Sequence, residues 1–468
     1  MKIENIDIET TIKKVQALIR EDKQLSVATK SMFEILILII TLLANRLNLN
    51  STNSSKPPSS DPNRKKRPKS KTGKKAGGQK GHVGTTLKKI DAPDKVKVIK
   101  VDRSKLPAGR YRQVGYSSRQ VFDIDISRVV TEYRAQILEN DKGKQFVASF
   151  PKDVTKAVQY GIGLKAHSVY MSQFQLIPYN RIQDYFSDQL NIPVSEGSIF
   201  NFNKEAFQLL ADFENRAKNE LAASEVAHAD ETGINIGGKG HWLHCISNDF
   251  WTVYHPHKRR GLIAMNDMDI LPRFKGTLCH DHWKPYYKID CTHALCNAHH
   301  LRELTRAWEQ DAQQWAKNMK NLLETINRKV NDAGGALTAK ESQKYRLKYK
   351  ALFKEAEIEC PEPIRPKGKK GRMKKSKSRN LLERLRNYEQ DALRFMDNEQ
   401  VPFSNNLGEN DIRMTKVQQK ISGCFRSMDG AKIFCRVRSY LSTCRKQGIK
   451  SSYALDLLFN GKLPNFIS

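Results

Sequence analysis

Cysteine is absent from the first half of this chain, and acidic residues are scarce relative to basic ones. The first of the eight cysteines is Cys245, and together they follow no regular paired spacing. This pattern excludes the disulfide framework of a small secreted protein, and we find no secretory signal in the sequence. The sequence therefore predicts a cytoplasmic protein whose thiols are mostly reduced.

Long apolar runs are also missing. The run at residues 32–43 contains Glu34 and Thr41 and is shorter than the ~20 residues that a membrane-spanning helix needs. Lipidation signals and a basic amphipathic helix are absent as well. We therefore expect no membrane partner.

What the chain does have is positive charge. Its 81 lysine and arginine residues outnumber 50 acidic ones, which gives a formal net charge of +31. Two segments, 64–80 and 365–379, each contain nine basic residues and no acidic one. Such segments release counterions when they bind DNA phosphates, so the composition indicates a nucleic-acid partner. For the first segment, a solvated linker that contacts nothing is the alternative.

Apolar and polar patterns divide the chain into regions. Residues 1–48 are predicted to be helical, and Leu36, Ile40, Leu43 and Leu47 recur at heptad-like spacing. That stripe fits either a short coiled coil or packing against a core. Residues 49–85 are rich in Ser, Asn, Pro, Gly and Lys and predict a disordered basic linker.

The next two regions predict different structures. Residues 86–150 contain alternating β-branched stretches such as VKVIKV, which predict a small β-rich domain. Residues 151–222 predict helices with a break at Asn-Ile-Pro. This second region fits a helix-turn-helix that places Ser198, Asn201 and Asn203 near DNA bases, and an ordinary helical hairpin fits equally well.

From residue 223 the pattern changes to α/β. SEVAHAD and GTLCHD predict buried strands, and each ends in an aspartate, Asp230 and Asp281. Ligand sites of open α/β sheets cluster at the carboxyl ends of strands, so we expect both carboxylates at one edge. His228 is expected on the same face as Asp230, and Glu231 is expected to point away. The alternative for Asp230 is a turn with the following Thr-Gly.

Glu409 lies in NNLGENDIRM and has two interpretations. Asn406 followed by Glu409 resembles a capping box, and Arg413 is placed to form an ion pair with that glutamate. By itself the pattern favours a helix cap over a catalytic carboxylate.

A CxxH motif, Cys296 to His299, follows the second aspartate. Cys291 and His293 are close enough in sequence to complete a structural zinc site with it, but one CxxH is only half of a typical site and is a weak signal. His299 near a catalytic metal and a buried, hydrogen-bonded histidine at a helix start are the alternatives.

The ordered set NSSKPPSSD, GGQKGHVG, HADETG, CNAHHLREL and NNLGENDIR…KISGCFRS resembles the transposases of the insertion-sequence 66 family of bacterial mobile elements. These motifs cover nearly the whole chain. The resemblance implies a DDE transposase with an RNase H-like mixed-sheet core, a helical insertion between the second Asp and the Glu, and the acidic triad Asp230, Asp281 and Glu409. It also makes His299 a candidate catalytic residue.

The resemblance implies two Mg²⁺ or Mn²⁺ ions on the triad and metal-dependent strand cleavage and strand transfer at the ends of the element. The expected partners are double-stranded DNA, as terminal inverted repeats and target, and further copies of the chain in a homodimer or higher oligomer. Whether accessory proteins of the element also take part stays open. We expect the protein in the cytoplasm on the nucleoid. The candidate DNA-binding residues are Arg64, Lys65, Lys66, Arg67, Lys74, Lys75, Lys369, Lys370, Arg372, Lys416, Lys420 and Arg426, with Arg436 and Arg438 as further candidates.

Two departures from the family pattern matter. The family usually carries a cysteine-based zinc-binding segment after the basic linker, and residues 83–244 contain no cysteine, so we interpret 86–150 as a degenerate module. Gly408 and Asn410 replace residues that are commonly Ala and Arg, which leaves open a catalytically weakened, transposase-derived DNA-binding protein or repressor. A nuclease with the same core is a third option.

The predicted architecture is thus multidomain α/β plus α. The N-terminal helix, linker, β-rich module and helical region described above come first. Residues 223–298 then form the first part of the core, and residues 299–398 form the helical insertion with its basic patch. Residues 399–468 form the second part of the core, with the Glu409 helix and the C-terminal helices.

Overall fold

The computed structural model describes residues 2–3, 6–22, 24–54, 61, 87–363 and 373–467. The predicted basic arm at 64–80 and most of the basic patch at 365–379 lie outside these residues. The DNA-binding candidates that fall there are Arg64, Lys65, Lys66, Arg67, Lys74, Lys75, Lys369, Lys370 and Arg372.

A five-stranded mixed sheet forms the centre of the fold, with the order β7-β6-β5-β8-β9. An antiparallel meander of β5 (Val226–Ile236), β6 (Lys239–Ser247) and β7 (Thr252–His257) makes up one side. On the other side of β5, β8 (Thr277–His280) and β9 (Thr292–Leu295) add in parallel. The buried strands predicted at SEVAHAD and GTLCHD are therefore confirmed as β5 and β8.

Helices cover both faces of this sheet, as expected for a chain of mixed α/β class. In the described residues they are α3 (Ile162–Val169), continued by a π-helix (Tyr170–Phe174), α4 (Tyr179–Leu190), α5 (Glu196–Leu209), α6 (Ala211–Ala222), α7 (Leu262–Met268), α8 (Asn297–Asp311), α9 (Gln314–Asp332), α10 (Ala339–Glu359), α11 (Lys377–Asn387), α12 (Glu389–Leu393), α13 (Asn406–Ser422), α14 (Met428–Lys446) and α15 (Ser451–Phe459).

Side chains alternate between the two faces along each strand. In β8, Leu278 packs with the cluster formed by α3–α7, α14 and α15, and Cys279 packs with the cluster formed by α8–α12. Ala227 and Ala229 of β5 belong to the first cluster, so His228 and Asp230 face the opposite side. The sheet is therefore covered on both faces.

The N-terminal region forms two helices where the sequence predicted one. They are α1 (Ile8–Glu21) and α2 (Val27–Leu47), preceded by a short pairing of β1 (Lys2–Ile3) with β2 (Ile6–Asp7). Ser26 caps α2 by accepting a hydrogen bond from the backbone N–H of Thr29 at 3.1 Å, which starts a second helix after the break.

Within the part of the chain that the structure describes, the heptad-like stripe of α2 is not packed into a core. Leu36, Ile40, Leu43 and Leu47 are all between 46% and 56% exposed. By length and composition α2 is also apolar enough to cross a membrane, contrary to the estimate from residues 32–43, because the helix continues for 21 residues. A single helix of this kind near the N-terminus does not by itself indicate a membrane protein, since core helices of soluble proteins and signal sequences can be equally long and apolar.

Most of the strands predicted within residues 86–150 are not formed in the described part of that region. The strands there are β3 (Ile137–Glu139) and β4 (Gln145–Val147), which pair with each other. A 3₁₀ turn at Arg103–Lys105 is the other regular element. Alternating apolar residues indicate a local preference for strand, but a stable strand also needs a partner strand and a buried face, and these side chains are exposed.

The helix-turn-helix interpretation is wrong in one of its base-contacting residues. Helices α4 and α5 do follow each other across a short turn. However, Asn203 is fully buried, and its side chain bonds to Ser172, Tyr179 and the carbonyl oxygen of Ile199. It is part of the core, whereas Asn201 is exposed and Ser198 is half-buried.

Gly276, directly before β8, is a point of close backbone approach. A Cβ atom there would lie 2.4 Å from the carbonyl oxygen of Ser224 and 2.5 Å from that of Glu225. We expect Gly276→Ala to destabilise the protein by about 1–3 kcal/mol, because backbone atoms cannot move aside as a flexible side chain does. The thermal unfolding midpoint measures this. Gly240→Ala in β6, where a Cβ meets nothing within 4 Å, is the control, and equal midpoints would contradict the expectation.

Candidate active site

The registers of the three parallel strands align the predicted aspartates. In the β5–β8 ladder His228 pairs with Cys279, and in the β8–β9 ladder His280 pairs with Leu295. Continuing both registers places Asp230, Asp281 and Cys296 side by side on one face of the sheet. Two aspartates that are far apart in sequence are therefore neighbours across adjacent strands.

The prediction that Asp230 ends its strand is wrong, although its placement at the edge of the parallel ladder holds. β5 continues to Ile236 because it pairs with β6 along its whole length. Gly237 and Gly238, both with positive φ, make the two-residue turn into β6. The parallel partner β8 stops at His280, so Asp230 lies in mid-strand where the parallel ladder ends.

Helix α13, which carries Glu409, is fixed to the sheet by Asn405. The Asn405 side-chain amide donates to the carbonyl oxygen of Ala229 at 2.8 Å, and its oxygen lies 2.7 Å from Nδ1 of His228. Its backbone N–H donates to Sγ of Cys296 at 3.2 Å. Three contacts thus join the start of α13 to β5 and to the end of β9.

The capping-box interpretation of Glu409 is wrong. Helix α13 starts at Asn406 with Asn405 as its N-cap, so Glu409 is the fourth helical residue, one position beyond the capping partner. The Asn405 side chain makes no cap hydrogen bond, because it is hydrogen-bonded to Ala229 of β5 instead. Gly408 leaves room for this arrangement, since a Cβ there would lie 3.2 Å from the Asn405 amide atoms.

Glu409 faces the CxxH motif. Its Oε1 lies 3.8 Å from Nδ1 of His299 and 3.9 Å from Sγ of Cys296. Its Oε2 lies 3.9 Å from a guanidinium nitrogen of Arg302, so Arg302 is the nearby arginine instead of the expected Arg413. Cys296 is buried, whereas the side chains of His299 and Glu409 keep 30% and 26% of their surface exposed. The cluster therefore opens on one side.

The predicted zinc set of Cys291, His293, Cys296 and His299 does not assemble. In the described residues, the one group of three or more potential ligands whose donor atoms lie within 4.8 Å of one another is Cys296, His299 and Glu409. Instead, Nδ1 of His293 lies 3.1 Å from Nε2 of His280.

The two aspartates each hold one backbone N–H. Asp230 accepts from the N–H of Glu231 at 2.9 Å, and Asp281 accepts from the N–H of Trp283 at 2.9 Å. Burial, together with the negative charges of Glu231, Glu409 and Asp281, raises the pKa of Asp230 to about 7, against the opposing hydrogen bond from the N–H of Glu231. The four acidic groups therefore share one electrostatic environment.

Glu231 points away from Asp230, as predicted, and is buried in a separate network. Its side chain accepts hydrogen bonds from Tyr286 and from Arg260, whose Nη2 lies 2.6 Å away. The Arg260 guanidinium stacks over the rings of Trp242 and Trp283 at 4.7 and 4.1 Å. Burial raises the pKa of Glu231, while Tyr286 and Arg260 oppose that rise.

The basic candidates on α13 and after it lie on the surface. Lys416, Lys420 and Arg426 are exposed. With the helical period of 3.6 residues, Lys416 and Lys420 continue the face that starts at Glu409 and includes Arg413. A positively charged strip therefore extends along α13 from the acidic cluster.

Other basic candidates are used inside the protein, contrary to the expectation that they contact phosphates. Arg436 pairs with Glu214, and the buried Arg438 donates to the carbonyl oxygens of Gln173 and Phe174. Within the 365–379 patch, Arg379 is buried and paired with Glu357 and Glu383, and Lys375 is paired with Glu362 and Glu383.

Sequence reasoning missed Asn405, which holds the Glu409 helix in place, and Arg302, which lies beside Glu409. Arg302 follows His299 by three residues on α8, so the helical period was a signal for it. For Asn405 the Asn-Asn pair before Glu409 was a weak signal, because only the fold brings β5 beside it.

Comparisons with known proteins agree with this arrangement. The family model described as the IS66 family of transposases matches residues 157–433, more than half of the chain, and a model for a family of unknown function matches residues 4–88. No curated protein matches the chain. The transposase match implies DNA binding and indicates a nucleic-acid-processing enzyme that depends on divalent metal. The chain therefore belongs to the IS66 family of transposases.

Proposed function

We propose that this transposase cleaves DNA at the ends of its insertion sequence and transfers the resulting 3′ ends to target DNA, using Asp230, Asp281 and Glu409 as ligands of two Mg²⁺ or Mn²⁺ ions. The observation that carries the proposal is the shared register of Asp230 and Asp281 on one sheet face, next to the anchored helix that bears Glu409. The order of the five strands supports an RNase H-like core, with α8–α12 as the insertion between Asp281 and Glu409.

The residues fit divalent metal binding. Carboxylate oxygens are the donors that Mg²⁺ and Mn²⁺ prefer. Burial is the main cause that raises the pKa of Asp230, and the negative charges of Glu231, Glu409 and Asp281 add to it; a bound cation would relieve that repulsion. Two such ions would activate the attacking oxygen and stabilise the leaving 3′ oxygen of an in-line displacement.

The chain's own residues position these groups. Asn405 holds α13 so that Glu409 faces the sheet, and Arg302 lies beside the other oxygen of that carboxylate. The His299 side chain lies beside Glu409 and is 30% exposed, and we propose that the exposed part of its ring contacts the scissile phosphate. Because water and later a 3′-hydroxyl are the nucleophiles, the reaction needs no covalent protein–DNA intermediate.

A non-catalytic repressor derived from a transposase is the less favoured alternative. All three acidic residues are present, and the contacts of Asn405 keep the third one facing the sheet. A repressor has no need of that arrangement. We place the active protein in the cytoplasm on the nucleoid.

DNA binding would use the strip on α13. We expect Lys416→Gln combined with Lys420→Gln to reduce the slope of log affinity against log salt by up to about 1.8, because each phosphate contact contributes about 0.9. Fluorescence anisotropy with terminal-repeat DNA at several salt concentrations measures the slope. Lys344→Gln with Lys348→Gln, an exposed pair at the same spacing on α10, is the matched control. An unchanged slope in the α13 variant would remove the strip from the interface.

The basic arm is a separate prediction. Deleting residues 64–80 removes nine positive charges, and we expect the salt dependence of binding to weaken while metal-dependent cleavage of a short DNA end is retained. The same anisotropy series measures the first effect and a gel assay the second. A deletion variant with the full salt slope would show that the arm does not contact DNA.

A second copy of the chain is the proposed partner on the protein side, because two DNA ends must be brought together. The exposed stripe of Leu36, Ile40, Leu43 and Leu47 on α2 supports pairing through this helix.

A further inference from the structure

We infer that Cys296, His299 and Glu409 form a binding site for a soft divalent cation of the Zn²⁺ class, and that an ion bound there withdraws Glu409 from the Mg²⁺-binding carboxylates. The site therefore inhibits the enzyme. The inhibitory consequence rests on the proposed function, whereas binding of the ion does not.

The geometry of the three donor atoms supports this site. Bonds of about 2.0–2.3 Å at tetrahedral angles place zinc ligands about 3.3–3.7 Å apart. Oε1 of Glu409 lies 3.8 Å from Nδ1 of His299 and 3.9 Å from Sγ of Cys296. All three donor atoms lie within 4.8 Å of one another, so shifts of up to about 1 Å would bring them onto one ion.

The hydrogen-bonding state of the cluster gives a second, independent observation. Nδ1 of His299 is buried and has no hydrogen-bond partner, although it faces a carboxylate oxygen and a sulfur atom. A buried ring nitrogen normally has a partner. A metal ion between these three atoms would supply it.

Metal binding would convert the Cys296 thiol to a thiolate. Burial raises the pKa of this thiol to about 11, and the backbone N–H of Asn405, 3.2 Å from Sγ, opposes that rise. A divalent cation at Sγ would supply the positive charge that deprotonates the thiol. On binding, the Cys296 thiol releases its proton to water, and Zn–S, Zn–N and Zn–O bonds form to a neutral imidazole and a carboxylate. Water fills the fourth position on the open side, and Arg302 stays near the other oxygen of Glu409.

The ligand atoms of the two sites favour different metals. Thiolate and imidazole select zinc-like ions and are poor ligands for Mg²⁺, which prefers oxygen. Glu409 is the ligand that both sites share, so an ion held by Cys296 and His299 competes directly with the catalytic pair. It also fixes the ring of His299, the side chain proposed to contact the scissile phosphate.

Co²⁺ and Zn²⁺ test the site in the full-length protein after its metals are removed with a chelator. We expect one Co²⁺ per chain with a thiolate-to-cobalt charge-transfer band, displaced by Zn²⁺. Cys296→Ser keeps an acceptor for the Asn405 N–H and should lose the band and bind Zn²⁺ at least ~10-fold more weakly, since losing even an outer-shell partner costs ~10–100-fold. His299→Ala should weaken Zn²⁺ binding similarly while keeping a folded helix α8.

The control is Cys291→Ser, which changes a neighbouring cysteine outside the cluster and should bind both ions like the wild type. A charge-transfer band that is absent in the wild type, or that survives Cys296→Ser, would overturn the site. The charge-transfer band reports metal binding without any cleavage step. The test of the site therefore holds even if the chain does not cleave DNA with Mg²⁺.

Inhibition is measured separately. Micromolar Zn²⁺ should inhibit Mg²⁺-supported cleavage by the wild type, and Cys296→Ser should need at least ~10-fold more Zn²⁺ for the same effect. Zn²⁺ that binds through Cys296 without slowing cleavage would overturn the competition for Glu409. Absent cleavage in wild type with Mg²⁺ alone would count against the proposed function and leave the binding result standing.

Discussion

Asp281→Asn is expected to abolish Mg²⁺-dependent strand cleavage, with a loss of at least ~10³-fold, while affinity for terminal-repeat DNA stays within ~2-fold. Metal stabilisation of a phosphoryl transition state is worth several kcal/mol, and each 1.36 kcal/mol is a factor of ten in rate. The asparagine side chain can still accept the N–H of Trp283, which holds the aspartate at 2.9 Å, so the loop after β8 should keep its conformation. Single-turnover cleavage of a labelled end and anisotropy measure the two effects.

Asp290→Asn is the matched control for that experiment. Asp290 lies just before β9, its side chain is 96% exposed, and it pairs with Lys275 on the surface. We expect cleavage within ~2-fold of the wild type. If Asp281→Asn cleaves DNA within ~10-fold of the wild type, Asp281 is not a metal ligand and the two-metal proposal fails.

Asn405→Ala should reduce the cleavage rate by about 100-fold with little change in DNA affinity. Asn405 connects the helix that carries Glu409 to β5 and to Cys296. Without its side chain the start of α13 loses two of its three contacts with the sheet, and a displacement of about 1 Å at a reacting centre can cost ~10²-fold. Because Glu409 is then less well placed to bind metal, the variant should also need more Mg²⁺ for half-maximal cleavage.

Stability should fall in the same variant. Asn405 donates to the carbonyl oxygen of Ala229, so its own oxygen accepts from Nδ1 of His228, whose pKa is lowered by burial. Removing the amide leaves those two buried groups without partners, which costs about 1–3 kcal/mol for each unsatisfied group. Thermal unfolding measures this loss.

The Mg²⁺ dependence separates positioning from a purely structural role. A variant that is only less stable, such as Gly276→Ala, should keep the wild-type Mg²⁺ requirement at a temperature where it is folded. Asn406→Ala changes the next residue, which is exposed on the first turn of α13, and should leave both cleavage and Mg²⁺ dependence unchanged. An unaltered Mg²⁺ requirement in Asn405→Ala would mean that Asn405 does not position Glu409.

The sequence alone determined the strands that carry the aspartates and the helices that follow them. Apolar stretches that end in Asp230 and Asp281 form β5 and β8, because a run of apolar residues bounded by polar ones is stable as a buried strand. The excess of positive charge and the ordered motifs indicated a transposase, and the IS66 family match confirms that prediction. These features are local in the chain, so short segments suffice to identify them.

Only the tertiary structure decided which of these residues meet. The extension of β5 to Ile236 depends on its pairing with β6, and the side-by-side placement of Asp230, Asp281 and Cys296 depends on the register of three strands. Strand registers are fixed by burial across the sheet and are not visible in any one segment.

The role of Glu409 was decided in the same way. Its spacing from Asn406 predicted that Glu409 is part of a helix cap. Helix α13 instead starts one residue earlier than such a cap requires, with Asn405 as its N-cap. The Asn405 side chain is bonded to Ala229 of β5, 176 residues away in sequence. The burial of Asn203, Arg379 and Arg438 likewise depends on partners from distant segments. Sequence determined which side chains this protein has available for chemistry, and long-range packing decided which of them face one another, because contacts between distant segments form only when the whole chain is folded.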